Sequence, residues 1–104
     1  SLAYQNSKQI LPEQTSLLKA YPNPFNGRIS IPYQISRLEK LDIVIYDIVG
    51  NEIQKYPLKH FYPGKYNVSW NAKNKLGQEV STGVYFIKLS STSFKSTEKI
   101  IFLK

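Results

Sequence analysis

The feature that most constrains this chain is a recurrence of short alternating apolar segments, each closed by Gly, Pro or Asn, at intervals of about ten residues. The alternation is cleanest after Gly64, where Tyr66, Val68 and Trp70 fall on one parity and Lys65, Asn67, Ser69 and Asn71 on the other. Successive side chains of a strand point to opposite faces, so this spacing makes one apolar and one polar face. Arg28–Tyr33 behaves alike, with Ile29, Ile31 and Tyr33 on one face. Pro32 lacks a backbone donor and suits an edge strand. Leu41–Asp47 is apolar on both faces, as a central strand should be. Val49-Gly50-Asn51 then turns the chain into a returning strand over 52–56. Asn71–Gly77 reads as a polar loop, 78–80 as a short strand, 83–89 as another, 90–93 as a turn and 95–103 as the last strand. No segment carries a helical period, and Pro at 22, 24, 32, 57 and 63 opposes helices. The expectation is all-β: about seven antiparallel strands in two packed sheets, burying Ile29, Ile31, Ile45, Val68, Trp70, Tyr85 and Ile87.

A length of 104 residues suits one domain, and 41% hydrophobic with 20% charged residues suits a globular one. Residues 1–16 are polar and aperiodic, and read as a linker from an upstream domain to a sandwich over 17–104. The chain has no Cys, so its core must hold without disulfides. No apolar run approaches the ~20 residues of a membrane span. The first residues show neither a basic patch followed by an apolar stretch nor an initiating Met, so any export signal is expected upstream of this segment. The formal charge is +7, and every basic residue except Arg28 and Arg37 is Lys. These lysines are scattered along the chain, which is not the clustering of a nucleic-acid reader. A solvated basic surface is the favoured reading, and attraction to an anionic polymer such as lipopolysaccharide the second.

Enzymatic chemistry finds little to use. His60 is the only histidine, placed in an expected loop over 58–63 with no acid beside it in sequence. An exposed loop histidine is the simpler reading than a general base. The acids Glu13, Glu39, Asp42, Asp47, Glu52, Glu79 and Glu98 have no metal-ligand spacing, and Asp42 and Asp47 have opposite parity on one strand. No glycine-rich phosphate loop is present, and no cofactor is expected. The aromatics leave a sugar-binding alternative, with Phe61, Tyr62 and Tyr56 as a stacking platform. Trp70, by contrast, falls on the core parity of its strand.

Three segments together resemble a known family, the C-terminal sorting domains of the type IX secretion system. The first is Tyr21-Pro22-Asn23-Pro24-Phe25-Asn26, preceded by an apolar strand over 17–20. The second is the strand from Ile43 to Ile48 with Tyr46-Asp47, running into Val49-Gly50. The third joins Trp70-Asn71-Ala72, Leu76-Gly77 and Gly83-Val84-Tyr85-Phe86 to a terminal Lys99–Lys104. Glu98 stands where many members have a basic or polar residue, and Asn26-Gly27 replaces their Asn-Pro. The resemblance implies an immunoglobulin-like sandwich that carries no catalytic group. It would address an upstream cargo, such as a hydrolase, peptidase or adhesin, through the periplasm and the outer-membrane translocon to the surface of a Gram-negative bacterium. A surface sortase would then remove it, and the cargo would be attached to anionic lipopolysaccharide. Within this pattern Pro22, Asn23, Pro24, Tyr46, Asp47, Gly50 and Trp70 read as builders of the fold. The prolines fix φ at a rigid corner, and Gly83 supplies either a positive φ or a close approach. The recognition signal is expected at Gly83, Val84, Tyr85, Lys99 and Lys104, the two lysines carrying free heads on opposite sides of the last strand. The same pattern is similar to the immunoglobulin-like domain of flagellar hook-capping proteins, which makes a structural interaction module the alternative.

Overall fold

A computed structural model describes residues 14–60, 62–92 and 94–104. Seven strands follow one another: β1 (Ser16–Leu17), β2 (Ile29–Ile35), β3 (Glu39–Asp47), β4 (Glu52–His60), β5 (Gly64–Trp70), β6 (Gly83–Ser91) and β7 (Lys95–Phe102). They form two antiparallel sheets, one in the order β1-β2-β5 and the other in the order β4-β3-β6-β7. The all-β sandwich read from strand parity is the fold.

Its core is the parity set itself. Ile29, Ile31, Tyr33 and Ile35 of β2 face Leu41, Ile43 and Ile45 of β3 and Tyr85, Ile87 and Leu89 of β6, with Ile100 and Phe102 from β7. Trp70 is fully buried, its ring edge-on to Tyr85 at 5.4 Å and tilted against Phe25 at 5.7 Å. The indole nitrogen donates to the Lys73 carbonyl at 2.9 Å, so its polar atom is satisfied inside the core. Val68, expected inside, is half-buried, because β5 is the edge of the smaller sheet.

Other departures have local causes. Pro32 sits in β2, the middle strand of its sheet, and not on an edge. Its carbonyl accepts from Leu18 N at 2.9 Å, so its missing donor faces the β1 side, in the gap between the end of the two-residue strand and the Tyr21–Ser30 bridge that resumes the pairing. The strand expected over 17–20 is thus only Ser16–Leu17, and Thr15, counted with the polar linker, is buried and hydrogen-bonded to Glu39 and Ser36. β4 runs on to His60, so 58–60 is strand and not loop: Leu58 pairs with Leu41 and packs against the core. His60 lies opposite Glu39 in the ladder. β6 likewise extends through Ser91, into the expected turn. The expected strand over 78–80 is a single bridge, Lys73 with Glu79, closing a small loop.

Candidate functional site

The last strand and its surroundings carry the residues that sequence reasoning singled out. β7 pairs with β6 from Ser90–Lys95 to Gly83–Phe102. Its other edge would be open, a row of unpaired donors and acceptors. It is instead covered by the segment that the Pro-Asn-Pro motif shapes. Ala20 N donates to both carboxylate oxygens of Glu98, at 3.1 and 3.0 Å. Asn23 Nδ2 donates to the Lys99 carbonyl at 3.2 Å, and Ile101 N donates to Asn23 Oδ1 at 3.0 Å. Phe25 then takes over with its backbone, donating to Ile101 O at 3.0 Å and accepting from Leu103 N at 2.9 Å. Both prolyl bonds of the motif are cis. The proline nitrogens carry no hydrogen, so between them the Asn23 side chain satisfies the strand edge. The Phe25 ring anchors the strap, 5.1 Å from Phe102 in the core.

Gly83-Val84-Tyr85 opens β6. A Cβ on Gly83 would meet nothing within 4 Å, but φ is +150°, so of the two roles expected for this glycine the positive φ is the one it plays. Tyr85 Oη donates to the Ser81 carbonyl at 2.6 Å, closing a corner over the strand entry. The same device recurs at Gly64-Lys65-Tyr66, where φ is +156° and Tyr66 Oη donates to Tyr62 O at 2.7 Å. Val84 is half-buried and lines, with Ile48, Ile53 and Val80, a hollow of about 270 Å³.

The Tyr46-Asp47 segment ends β3 in a tight turn. Asp47 Oδ1 accepts from Val49 N at 3.0 Å and Asn51 N at 2.8 Å, and Oδ2 from Asn51 Nδ2 at 3.1 Å. Desolvation works against the charged carboxylate, but the Asn51 and Val49 hydrogen bonds outweigh it and hold the Asp47 carboxyl below its ordinary range. Gly50, at φ +93°, donates to the Asp47 carbonyl and completes the turn.

The two lysines are not brought together. Lys99 projects from the outer face of its sheet, in register with Phe86. Lys104 lies past the end of β7, where strand parity no longer places it, and its head is not free: it pairs with Glu79 at 3.0 Å. It borders a hollow of about 330 Å³ with Pro22, Pro24, Phe25, Asn26 and Leu103. Asn23, Glu98 and Glu79 hold the terminal segment; the sequence marked Asn23 as a builder of the fold and Glu98 only as a departure from the family pattern, and gave Glu79 no role there. A Pro-x-Pro segment beside a strand is the signal that was present, because only a side chain can serve the edge there.

No group of three or more His, Cys, Asp or Glu that could hold a metal occurs among the described residues. Asp42 and Asp47 do not converge: one projects from β3 and the other is consumed by its turn. Of the aromatic platform, Phe61 lies outside the described residues, Tyr62 is exposed, and Tyr56 packs against the core.

An immunoglobulin-like accessory sandwich, with its last strand strapped in place, is the class that fold and site define. The chain belongs to the family of secretion-system C-terminal sorting domains, whose model matches residues 19–103. It is a sorting domain of type IX secretion, and a protein that carries it is destined for the cell surface or the medium. Among solved structures it is similar to dimeric latent PorU from Porphyromonas gingivalis, with 20% identity over 84% of this chain and 9% of that one and a TM-score of 0.68. PorZ of the same organism, a surface component of the type IX secretion system, is 19% identical over 83% of this chain and 11% of that one, with a TM-score of 0.60. The hook-capping FlgD of Xanthomonas campestris is 12% identical over 97% of this chain and 74% of that one, with a TM-score of 0.59. At these identities the likeness is one of fold. The chain spans about a tenth of PorU and PorZ. No curated protein matches it.

Proposed function

We propose that the domain is read by the type IX translocon at its terminal segment, with Lys99 and Lys104 as the contacts and Gly83-Val84-Tyr85 as the element that fixes their approach. The observation that carries this reading is the double hold on β7, by β6 on one edge and by the Ala20–Phe25 strap on the other. A strand held on both edges presents Lys99 in one register whatever cargo precedes the domain, and the ion pair to Glu79 sets the place of Lys104 just beyond it. The domain itself does no chemistry. The polar residues ahead of Thr15 connect it to the cargo, and a surface sortase cuts among them, since the buried Thr15 and Ser16 of β1 already belong to the sandwich. The route runs through the periplasm, and lipopolysaccharide is the anionic acceptor for the released cargo.

The test replaces Lys99 and Lys104 with Gln in a secreted reporter fusion and measures melting temperature beside surface yield. Lys104 loses an exposed ion pair, worth about 0–1 kcal/mol, so the fold should hold. Surface yield should fall severalfold. Normal yield from an intact fold would remove these lysines from the signal. Mass spectrometry of the released cargo locates the cut, which this reading puts before Thr15.

A further inference from the structure

The outer face of the four-stranded sheet concentrates charge of one sign. The ladders fix its rows: Lys59 stands opposite Lys40. Asp42, Ser90 and Lys95 follow, then Lys55, Val44, Lys88 and Thr97, then Tyr46, Phe86 and Lys99. Lys40, Lys55, Lys59, Lys88, Lys95 and Lys99 therefore share one face. The acids there are Asp42 and, past the β3–β4 bulge, Glu52, whose carboxylate is held by Lys75. The ion pairs among the described residues, Arg37–Glu39, Lys75–Glu52 and Lys104–Glu79, take in none of Lys40, Lys55, Lys88, Lys95 and Lys99.

This arrangement works against the fold. Like charges gathered on one face of a sheet repel one another and destabilise it. Lysines on β4 and β7 can be explained as guards against edge-to-edge aggregation. Lys40 and Lys88 cannot, because β3 and β6 are inner strands. Between the lysines the face is apolar: Val44 is buried, and Tyr46 and Phe86 are half-buried. A broad hollow of about 530 Å³ lies beside Lys40, Pro57 and Lys59.

We infer that this face docks on an anionic phospholipid surface. All six cations are Lys. Flexible, compact ammonium heads suit a diffuse array of phosphates, whereas a fixed set of carboxylates is more often met by the planar fork of Arg. Aromatic rings among the cations sit well at headgroup level. The inference stands apart from the sorting reading, and Lys99 is left unchanged in its test so that either can fail alone.

The experiment is co-sedimentation of the whole chain with phosphatidylcholine vesicles, with and without about a third phosphatidylglycerol, across a salt series. Binding should require phosphatidylglycerol and weaken with salt. The variant Lys40→Gln/Lys55→Gln/Lys88→Gln/Lys95→Gln should lose about fivefold in partitioning per lysine, on the order of several hundredfold in all. Lys19→Gln/Arg28→Gln/Lys65→Gln/Lys73→Gln removes the same charge from exposed positions off this face and should lose far less. Should the first variant fail to fold, Lys88→Glu alone, set among lysines, should lose roughly twentyfold. No binding by the unchanged chain, equal binding to neutral vesicles, or equal losses in the two quadruple variants would each overturn the inference. Binding to soluble polyglutamate but not to vesicles would overturn it too, in favour of an acidic protein partner.

Discussion

Replacing Asn23 with alanine removes both side-chain bonds that the strap makes to β7, leaving the Ile101 N–H and the Lys99 carbonyl to water. A hydrogen bond contributes about 0.5–1.5 kcal/mol net, and these two are exposed, so each belongs at the low end and the pair at about 1 kcal/mol. For a domain of this size that is a fall of about 4–8 °C in melting temperature. The global number alone would not locate the effect. Amide exchange does: Ile101 should exchange faster, Leu103 less so because Phe25 O still holds it, and Ile100, paired towards β6, should follow only global stability. Asn23→Asp is the internal comparison, since it keeps the acceptor for Ile101 and loses only the donor to Lys99. If Ile101 exchange and melting temperature are both unchanged in Asn23→Ala, the strap does not hold the strand and the presentation argument fails.

Trp70→Ala, which empties a fully enclosed aromatic site, should cost about 3–5 kcal/mol and leave the domain largely unfolded, visible as loss of near-ultraviolet dichroism; a cooperative melt near that of the unchanged chain would refute its role in the core. Burial, and then the neighbouring Tyr66, push the Tyr33 phenol up to about 12. Its unfolded value is about 10, so the neutral form favours folding and this contribution is lost as pH rises from about 10 to 12, at up to about 2–3 kcal/mol. Urea titrations should show that decline, and it should shrink in Tyr33→Phe, leaving the part that comes from the Tyr56 phenol, which burial also pushes up. Gly83→Ala should destabilise by about 1 kcal/mol through φ alone, since its Cβ meets open space; a loss above about 3 kcal/mol in denaturant titration would mean a steric clash instead.

Strand parity carried most of the fold because burial on a sheet is decided residue by residue. Ile29, Ile31, Trp70, Tyr85 and Ile87 could be placed inside from alternation alone. What alternation cannot report is which strands neighbour one another. Pro32 looked like an edge residue because its missing donor was visible and its neighbour's early end was not. The Glu98 carboxylate, a departure from the family pattern, became intelligible only when Ala20, distant in sequence, was found beside it. Lys104 looked free for the same reason, its partner Glu79 lying in a loop whose return to the terminus no local pattern announces. The lysine face was hidden most completely: its members come from four strands, and only the ladder register aligns them.

The central claim is that this domain alone is a sufficient address. The direct measurement fuses residues 1–104 behind an exported reporter in a bacterium with a type IX system and quantifies the reporter on intact cells, with a translocon-deficient strain in parallel. The account predicts reporter at the surface or in the medium of the first strain and retained in the periplasm of the second. A folded fusion retained in the periplasm of both would contradict it.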